Sequence, residues 1–427
     1  MEFVAHWRLA IVNGAVIFGC PMVESGPSPG NESPPGSRSE VFRASLKLGL
    51  ISFGGPVAHI GYFREEFVRK RRWLDDAAFG DLVALCQFLP GPASSQTIFA
   101  LGMRRAGLMG GILASLGFTL PSAVLMILFA YGVASMGGLQ NAGWLQGLKL
   151  AAVAVVGKAV IGMGRQLCPD LPRGVIALLA AACLIAFSGP WFQMSVILTG
   201  GVAGWWMGRE EDPVLNVSVH GKWGSHVIAV ASLGMFVLLL VLLPLLAPVT
   251  GNLSVAMFDG FYRAGSLVFG GGHVVLPLLR AEVVPNGWVG DDAFLAGYGA
   301  AQALPGPLFT FAAYLGAVAR PGPLAWLGGL WCLIAIFLPS LLLISGVLPF
   351  WQNLRTKTWA QAAIRAANAA VVGVLLAAFY HPVCTGSIHN MMDAGCAIGL
   401  FALLQWAKCP PWLAVFIAAA VGQWLLV

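Results

Sequence analysis

The chain has 427 residues, 58% of them hydrophobic and 10% charged, with a formal net charge of +6 and a mean hydropathy of +0.81. That charge content is well under half of the ~25% usual in soluble domains, too little to coat a core, so a water-soluble globule is excluded and an all-α polytopic membrane protein is expected. The modest positive charge fits loop placement in a membrane and calls for no nucleic-acid partner, and the eight scattered cysteines form no CxxC pair, so no disulfide framework, metal or other cofactor is expected.

Residues 1–40 open with a short apolar run, 9–20, followed by the Pro-, Gly- and Ser-rich 21–40. The first piece suits a signal-like segment, an interfacial helix or an extended start with Met22 as initiator. The second suits disorder, so 1–40 is expected to be a dispensable extension. Apolar segments then fall near 41–61, 77–103, 106–136, 142–164, 174–188 and 191–207, a single one at 226–249, and six more near 257–280, 293–319, 323–348, 358–380, 391–407 and 411–427. The run at 226–249 is long enough to cross a roughly 30 Å hydrocarbon layer.

The two sets of six correspond. Lys47-Leu48-Gly49 matches Arg263-Ala264-Gly265, and Phe53-Gly54-Gly55 matches Phe269-Gly270-Gly271, both at an offset of 216. Trp73, Asp76 and Phe79 match Trp288, Asp291 and Phe294 at 215, as does QFLPGP (87–92) with QALPGP (302–307). LPS recurs at 120 and 338, AVVG at 154 and 370, and Lys149 matches Arg365. So nearly constant an offset marks an internal repeat. The expected units are a first repeat at 41–222, a linker helix at 223–255 and a second repeat at 256–427.

The copies differ in charge. Arg64, Arg69, Lys70, Arg71 and Arg72 follow the first Gly-Gly, whereas 280–288 keeps only Arg280. Cytoplasmic loops collect Lys and Arg, so the copies are expected to face opposite sides, as an inverted-topology repeat in a cell membrane with the main basic loops cytoplasmic. With the first two segments of each repeat taken as broken, re-entrant hairpins, Arg104, Arg105, Arg165, Arg173, Arg209, Lys222, Arg355, Lys357 and Lys408 also fall inside. Arg280 and Arg320 fall outside on this path, against the trend.

Four breaks interrupt the apolar segments at matched positions: Gly54-Gly55-Pro56, Pro90-Gly91-Pro92, Gly270-Gly271-Gly272 and Pro305-Gly306-Pro307. Proline removes an amide donor and glycine frees the backbone. At membrane depth such backbone persists only when buried in protein or lining a wet cavity, and the helix N-termini it creates suit an anion. A lone Gly-Pro is more often a kink; two symmetric pairs favour a site. Gln87 and Gln302, three residues before the Pro-Gly-Pro breaks, either face a bound oxyanion or tie a hairpin to its neighbour. Ser94, Ser95, Thr97 and Thr310 add hydroxyls that serve binding or helix contact.

Ionisable residues within spans are costly and are functional candidates. Arg43, Lys47, Lys149, Lys158, Arg263 and Arg365 outnumber the carboxylates Asp81, Asp259 and Asp393 in or at the ends of apolar segments. Lys47/Arg263 and Lys149/Arg365 recur between repeats, and the excess of bases points to an anionic substrate. Snorkelling to the headgroups is the competing reading, best suited to Arg43. His59 and His273 follow Gly breaks without being repeat-equivalent, and each suits a packed neutral ring better than a proton carrier.

At these residues the sequence resembles the chromate ion transporter family. The resemblance rests on LKLGLISFGGP (46–56), the basic loop into RRWLDD (71–76) and QFLPGP (87–92), echoed as AGSLVFGGGH (264–273) and QALPGP (302–307). It covers nearly the whole chain from about residue 41 and looks like the long, two-repeat branch. It implies a membrane transporter, not an enzyme, that exports the tetrahedral dianion chromate from the cytoplasm and gives resistance. The partners expected are the oxyanion, the lipid bilayer and, for a homodimer, a second copy. Gly272 departs from the pattern where the first copy has Pro56, and the N-terminal extension has no counterpart. Sulfate or another oxyanion would ask for the same donors, and a passive anion channel would tolerate the same basic breaks. An intramembrane enzyme would need paired acids or a metal cluster at depth, and the sequence offers neither.

Overall fold

A computed structural model describes residues 10–12, 15–17, 36–135, 143–187, 190–207, 226–268, 272–351, 357–407 and 409–425. Gly270 and Gly271 lie outside these residues, as do the loop 137–141 and Arg209, Lys222, Arg355 and Lys408. Near the N-terminus, β1 (Ala10–Val12) pairs antiparallel with β2 (Ala15–Ile17), with Ala10 opposite Ile17. This departs from the interfacial-helix option, and the sequence carries a reason in Asn13-Gly14, the dipeptide that favours tight hairpins between apolar residues.

The remaining described residues are dominated by helices. The first repeat opens with α1 (Arg38–Ile51), started by an N-cap in which the Ser37 hydroxyl accepts from the Glu40 amide at 3.1 Å. It ends at Ser52, before Gly54, whose φ of 97° would strain any residue with a side chain. Next come α2 (Gly55–Phe63), continued by a wider π-helical stretch Arg64–Lys70, and α3 (Asp76–Phe88), capped by Asp75 and stopped by Pro90. These helices have 14, 9 and 13 residues, too short to cross a bilayer alone.

α4 (Ala93–Ser135) is two arms, because Ala106 and Gly107 leave helical geometry. The arms fold back on each other, so closely that a Cβ on Gly102 would meet the carbonyl of Gly110. This places the turn where the sequence separates segments 77–103 and 106–136. α5 (Gly143–Leu167), α6 (Leu171–Ala186) and α7 (Pro190–Met207) complete the repeat.

α8 (His226–Thr250) links the halves. It is apolar all round and, of its described side chains, only Ala229 and Leu243 are buried, so it presents its side chains to lipid and touches the bundle on one side. The Tyr262 hydroxyl donates to its Phe236 carbonyl.

The second repeat retraces the first. α9 (Leu253–Leu267), α10 (Val275–Val283), α11 (Asp291–Ala301) and α12 (Phe311–Val318) are again short, and α13 (Ala325–Val347) is again long. α12 and α13 form the same tight pair as the arms of α4, with Gly316 against Gly328 in place of Gly102 against Gly110. α14 (Thr358–Ala378), α15 (Met391–Gln405) and α16 (Pro411–Leu425) follow. Five stretches among the described residues are long and apolar enough to cross a membrane: Ala93–Ala134 within the folded-back α4, Gly143–Leu167, His226–Thr250, Ala325–Phe350 and Gln361–Cys384.

The repeats are interlocked. α5 of the first packs against α15 and α16 of the second, while α14 of the second packs against α6 and α7 of the first. Small residues permit the approach: Gly147 lies on the backbone of Ala418, and Gly204 on Ala362 and Ala366. Contacts in which each half does to the other what is done to it are those of a two-fold related pair.

Candidate functional site

The breaks meet across this interface. The Gly91 amide donates to the Val268 carbonyl at 2.6 Å, and the Gly306 amide donates to the Ser52 carbonyl at 2.9 Å. Gly91 corresponds to Gly306 and Ser52 to Val268, so each repeat offers a carbonyl from its first break and an amide from its second. Two reciprocal backbone clasps join four interrupted helices. Buried irregular backbone must be satisfied by something other than a helix ladder, and here the other repeat supplies it.

Both clasp glycines have positive φ, 120° at Gly91 and 96° at Gly306. A Cβ on Gly91 would lie 2.5 Å from the Ser340 Cβ, and one on Gly306 would lie 2.8 Å from the Ser122 hydroxyl. The recurring LPS motif therefore sits where the other repeat's Pro-Gly-Pro passes. Ser122 and Ser340 are fully buried, bonded to Thr119 and Phe337 carbonyls of their own helices. Pro121 and Pro339 lie within those helices at the crossing, each removing one amide from the ladder.

Around the clasps, Gly91, Pro92, Pro305 and Pro307 are buried, while Gly55, Pro56, Pro90, Gly306 and Gln302 are half-buried. Gly54 and Gln87 are exposed. Gln96, which the sequence reading passed over, is fully buried and donates to the Pro90 carbonyl at 2.7 Å. Ser95 is buried in the first turn of α4. Thr97 and Thr310 turn their hydroxyls onto the Ala93 and Pro307 carbonyls. His59 donates from Nε2 to the Ser52 carbonyl at 3.1 Å, and His273 Nδ1 pairs with the Tyr298 hydroxyl at 2.8 Å.

The recurrent cations hold carboxylates. Lys47 reaches Glu66 at 2.9 Å, and Arg263 reaches Glu282 at 3.0 Å and Asp259 at 2.9 Å. Glu66 and Glu282 are themselves equivalent at the same offset of 216, so the ion pair is a repeated element. The sequence inventory undercounted acids by omitting these two; the offset would have found them. Glu66 also binds Arg71 at 2.9 Å, tying the basic loop to α1. Burial opposes its ionisation, but Lys47 and Arg71 outweigh that effect and hold the carboxyl below its ordinary value.

The central-helix cations look across the interface. Lys149 of α5, 9% exposed, meets Asp292 at the start of α11 at 2.6 Å. At the start of α6 the Asp170 carboxyl is held below its ordinary value chiefly by its hydrogen bond to Arg173, with Arg365 of α14 adding a smaller attraction from the other repeat. Lys158 donates to the Leu404 carbonyl at 2.7 Å, closing the end of α15. The structure thus brings together breaks from opposite repeats and gives Lys47, Lys149 and Arg263 acidic partners. Most seam donors are already spent on carbonyls, but the Ser95 hydroxyl, buried in the first turn of α4, has no hydrogen-bond partner among the described residues, and a donor at a helix N-terminus suits an oxyanion. Among the described residues no cluster of three His, Cys, Asp or Glu side chains could hold a metal.

Comparison with known proteins agrees with this plan. A family model described as chromate transporter matches twice, over residues 39–205 and 255–423. A chromate transport protein of Pseudomonas aeruginosa is 32% identical over 72% of this chain and 72% of its own length. A probable chromate transport protein of Synechococcus elongatus is 30% identical over 90% of this chain and 95% of its own. A chromate transport protein of Cupriavidus metallidurans is 27% identical over 78% and 79%. No solved structure matches.

Proposed function

The chain belongs to the chromate transporter family, and from that premise we propose that it exports chromate from the cytoplasm through the seam between its repeats and so confers resistance. The observation that carries the site is the pair of reciprocal clasps, Gly91 with Val268 and Gly306 with Ser52. They gather interrupted helices from both halves into one place, and the break residues around them form the substrate path.

The dianion enters between the repeats, and amides and hydroxyls at the breaks replace its hydration. Lys149 and Arg365 flank the path from the two central helices, and the Lys47–Glu66 and Arg263–Glu282 pairs brace it. Rocking of one half against the other then opens the seam to the far side. The single crossing of α8 reverses the second half relative to the first, which supports opposed orientation, with the Arg64–Arg72 loop cytoplasmic. An inside-negative potential favours expulsion of a dianion by about 4.6 kcal/mol per 100 mV, twice the single-charge value.

Labelled chromate and sulfate uptake into everted vesicles, with an imposed potential, tests the reading. Potential-dependent accumulation of chromate is expected; accumulation of sulfate alone reassigns the substrate, and dissipative flux of any small anion makes the protein a channel.

A further inference from the structure

The two clasps are built alike but are braced differently: Gln96 holds the Pro90 carbonyl beside Gly91 at 2.7 Å, whereas among the described residues a side chain holds the accepting carbonyl itself only at Ser52. The Ser52 carbonyl accepts two hydrogen bonds, from the Gly306 amide at 2.9 Å and from His59 Nε2 at 3.1 Å. At an offset of 216 the second repeat has Val275 in place of His59, which has no side-chain donor for Val268. His59 is 1% exposed, and its ring stands edge-on against Phe118 at 5.3 Å, with Phe63 at 6.3 Å. The Phe118 carbonyl in turn borders Gly306. The ring lies between the end of α1 and α4, bonded to the same carbonyl that the second repeat's Gly306 amide reaches.

A carbonyl accepts only through its lone pairs, so Nε2 carries the hydrogen and the tautomer is fixed. Donation from a clamped ring adds a second, fixed direction to the Ser52 carbonyl, which at the C-terminal end of α1 has no helical donor and otherwise has only the Gly306 amide. This matters because Gly54, two residues on, leaves the chain without a helical ladder to orient that carbonyl.

We propose that His59 is a positioning residue for transport, which fixes the Ser52 carbonyl on Gly306 so that this clasp stays closed while the Gly91–Val268 clasp yields. The seam then has a hinge side and an opening side, and the direction of rocking is set by one side chain in one repeat. The transport part of this inference rests on the reading above.

Amide hydrogen exchange of the full chain in nanodiscs, read on peptides containing Gly306 and Gly91, tests it together with chromate flux in proteoliposomes. His59→Leu should speed exchange at Gly306 by about tenfold and leave Gly91 unchanged. It should lower maximal flux about tenfold while KM for chromate moves less than about twofold. His59→Gln, whose amide nitrogen reaches the Nε2 position, should restore both, whereas His59→Asn, which reaches only the Nδ1 position, should not. Where His59→Leu does not fold, the Gln and Asn pair carries the same comparison. Faster exchange at both amides or at neither, or equal behaviour of Gln and Asn, overturns the assignment. Wild-type protein that moves neither chromate nor sulfate refutes the transport reading instead and leaves the exchange result standing.

Discussion

Lys47 and Glu66 are joined at 2.9 Å, and 216 residues on Arg263 and Glu282 repeat the bond at 3.0 Å. One geometry serves two levels of burial: the Lys47 side chain is 52% exposed and that of Arg263 only 11%. Removing Arg263 leaves the buried Asp259 and Glu282 carboxylates without this partner, whereas removing the solvent-screened Lys47 leaves the buried Glu66 still held by Arg71. Arg263→Ala should therefore cost about 3–5 kcal/mol, and Lys47→Ala about 1 kcal/mol. Thermal melting of purified protein in detergent gives the order; equal losses would show the pairs to be energetically alike.

The Glu66 network also sets a pH window. Its carboxyl lies below its ordinary value of 4.5 when folded, so the unfolded chain takes up that proton first as pH falls. The stabilisation is complete above about pH 4.5 and is lost as pH drops through the folded value. Melting should be flat from pH 7 to pH 5 with respect to this group and fall below that. Glu66→Gln should flatten the acid limb, and an unchanged limb would assign it to other carboxylates.

Gly91→Ala and Gly306→Ala each place a Cβ in occupied space at a left-handed φ. Flux should fall at least about tenfold in both. Adding Ser340→Gly to Gly91→Ala should recover part of the loss, since it removes the collision with Ser340 and leaves the close approach to Gln96 Nε2 and the φ strain. Wild-type flux in either single variant would show that the crossing tolerates separation.

Lys149→Ala and Arg365→Ala should abolish chromate flux while membrane insertion, followed by fluorescence-detected chromatography, is kept. The exchange Lys149→Asp with Asp292→Lys should restore insertion and only part of the flux if Lys149 also serves the anion. Wild-type rates in both alanine variants would remove them from the path.

Single cysteines beside Lys70 and Asn286, in a background cleared of native cysteine, should label from opposite faces of the membrane. Labelling from one face would make the repeats parallel.

Much of this plan was legible in the sequence because the repeat offset is a strong signal: it located the breaks at Gly54-Gly55, Pro90-Gly91-Pro92 and Pro305-Gly306-Pro307 and the equivalence of Lys47 with Arg263. Segment boundaries around Arg104 and Arg105 also emerged, since a charged turn between apolar runs marks a reversal. The roles of the cations were harder to read. Glu66 is near Lys47 only because the π-helical stretch after α2 returns to α1, a pairing across 19 residues that no local period announces. The clasps were invisible for a related reason, since a backbone amide leaves no residue-type signature. Ser122 and Ser340 were noticed as repeats, but only the fold shows that each faces a glycine of the other half.

The exchanged helices bear on how the chain holds together. Because α5 is clothed by α15 and α16, and α14 by α6 and α7, neither half is complete without its mate. The covalent tether through α8 therefore fixes one-to-one stoichiometry, while cohesion comes from the swapped walls. A nick within α8 should be survivable when both fragments are synthesised together, and either fragment produced alone should be left with an open flank.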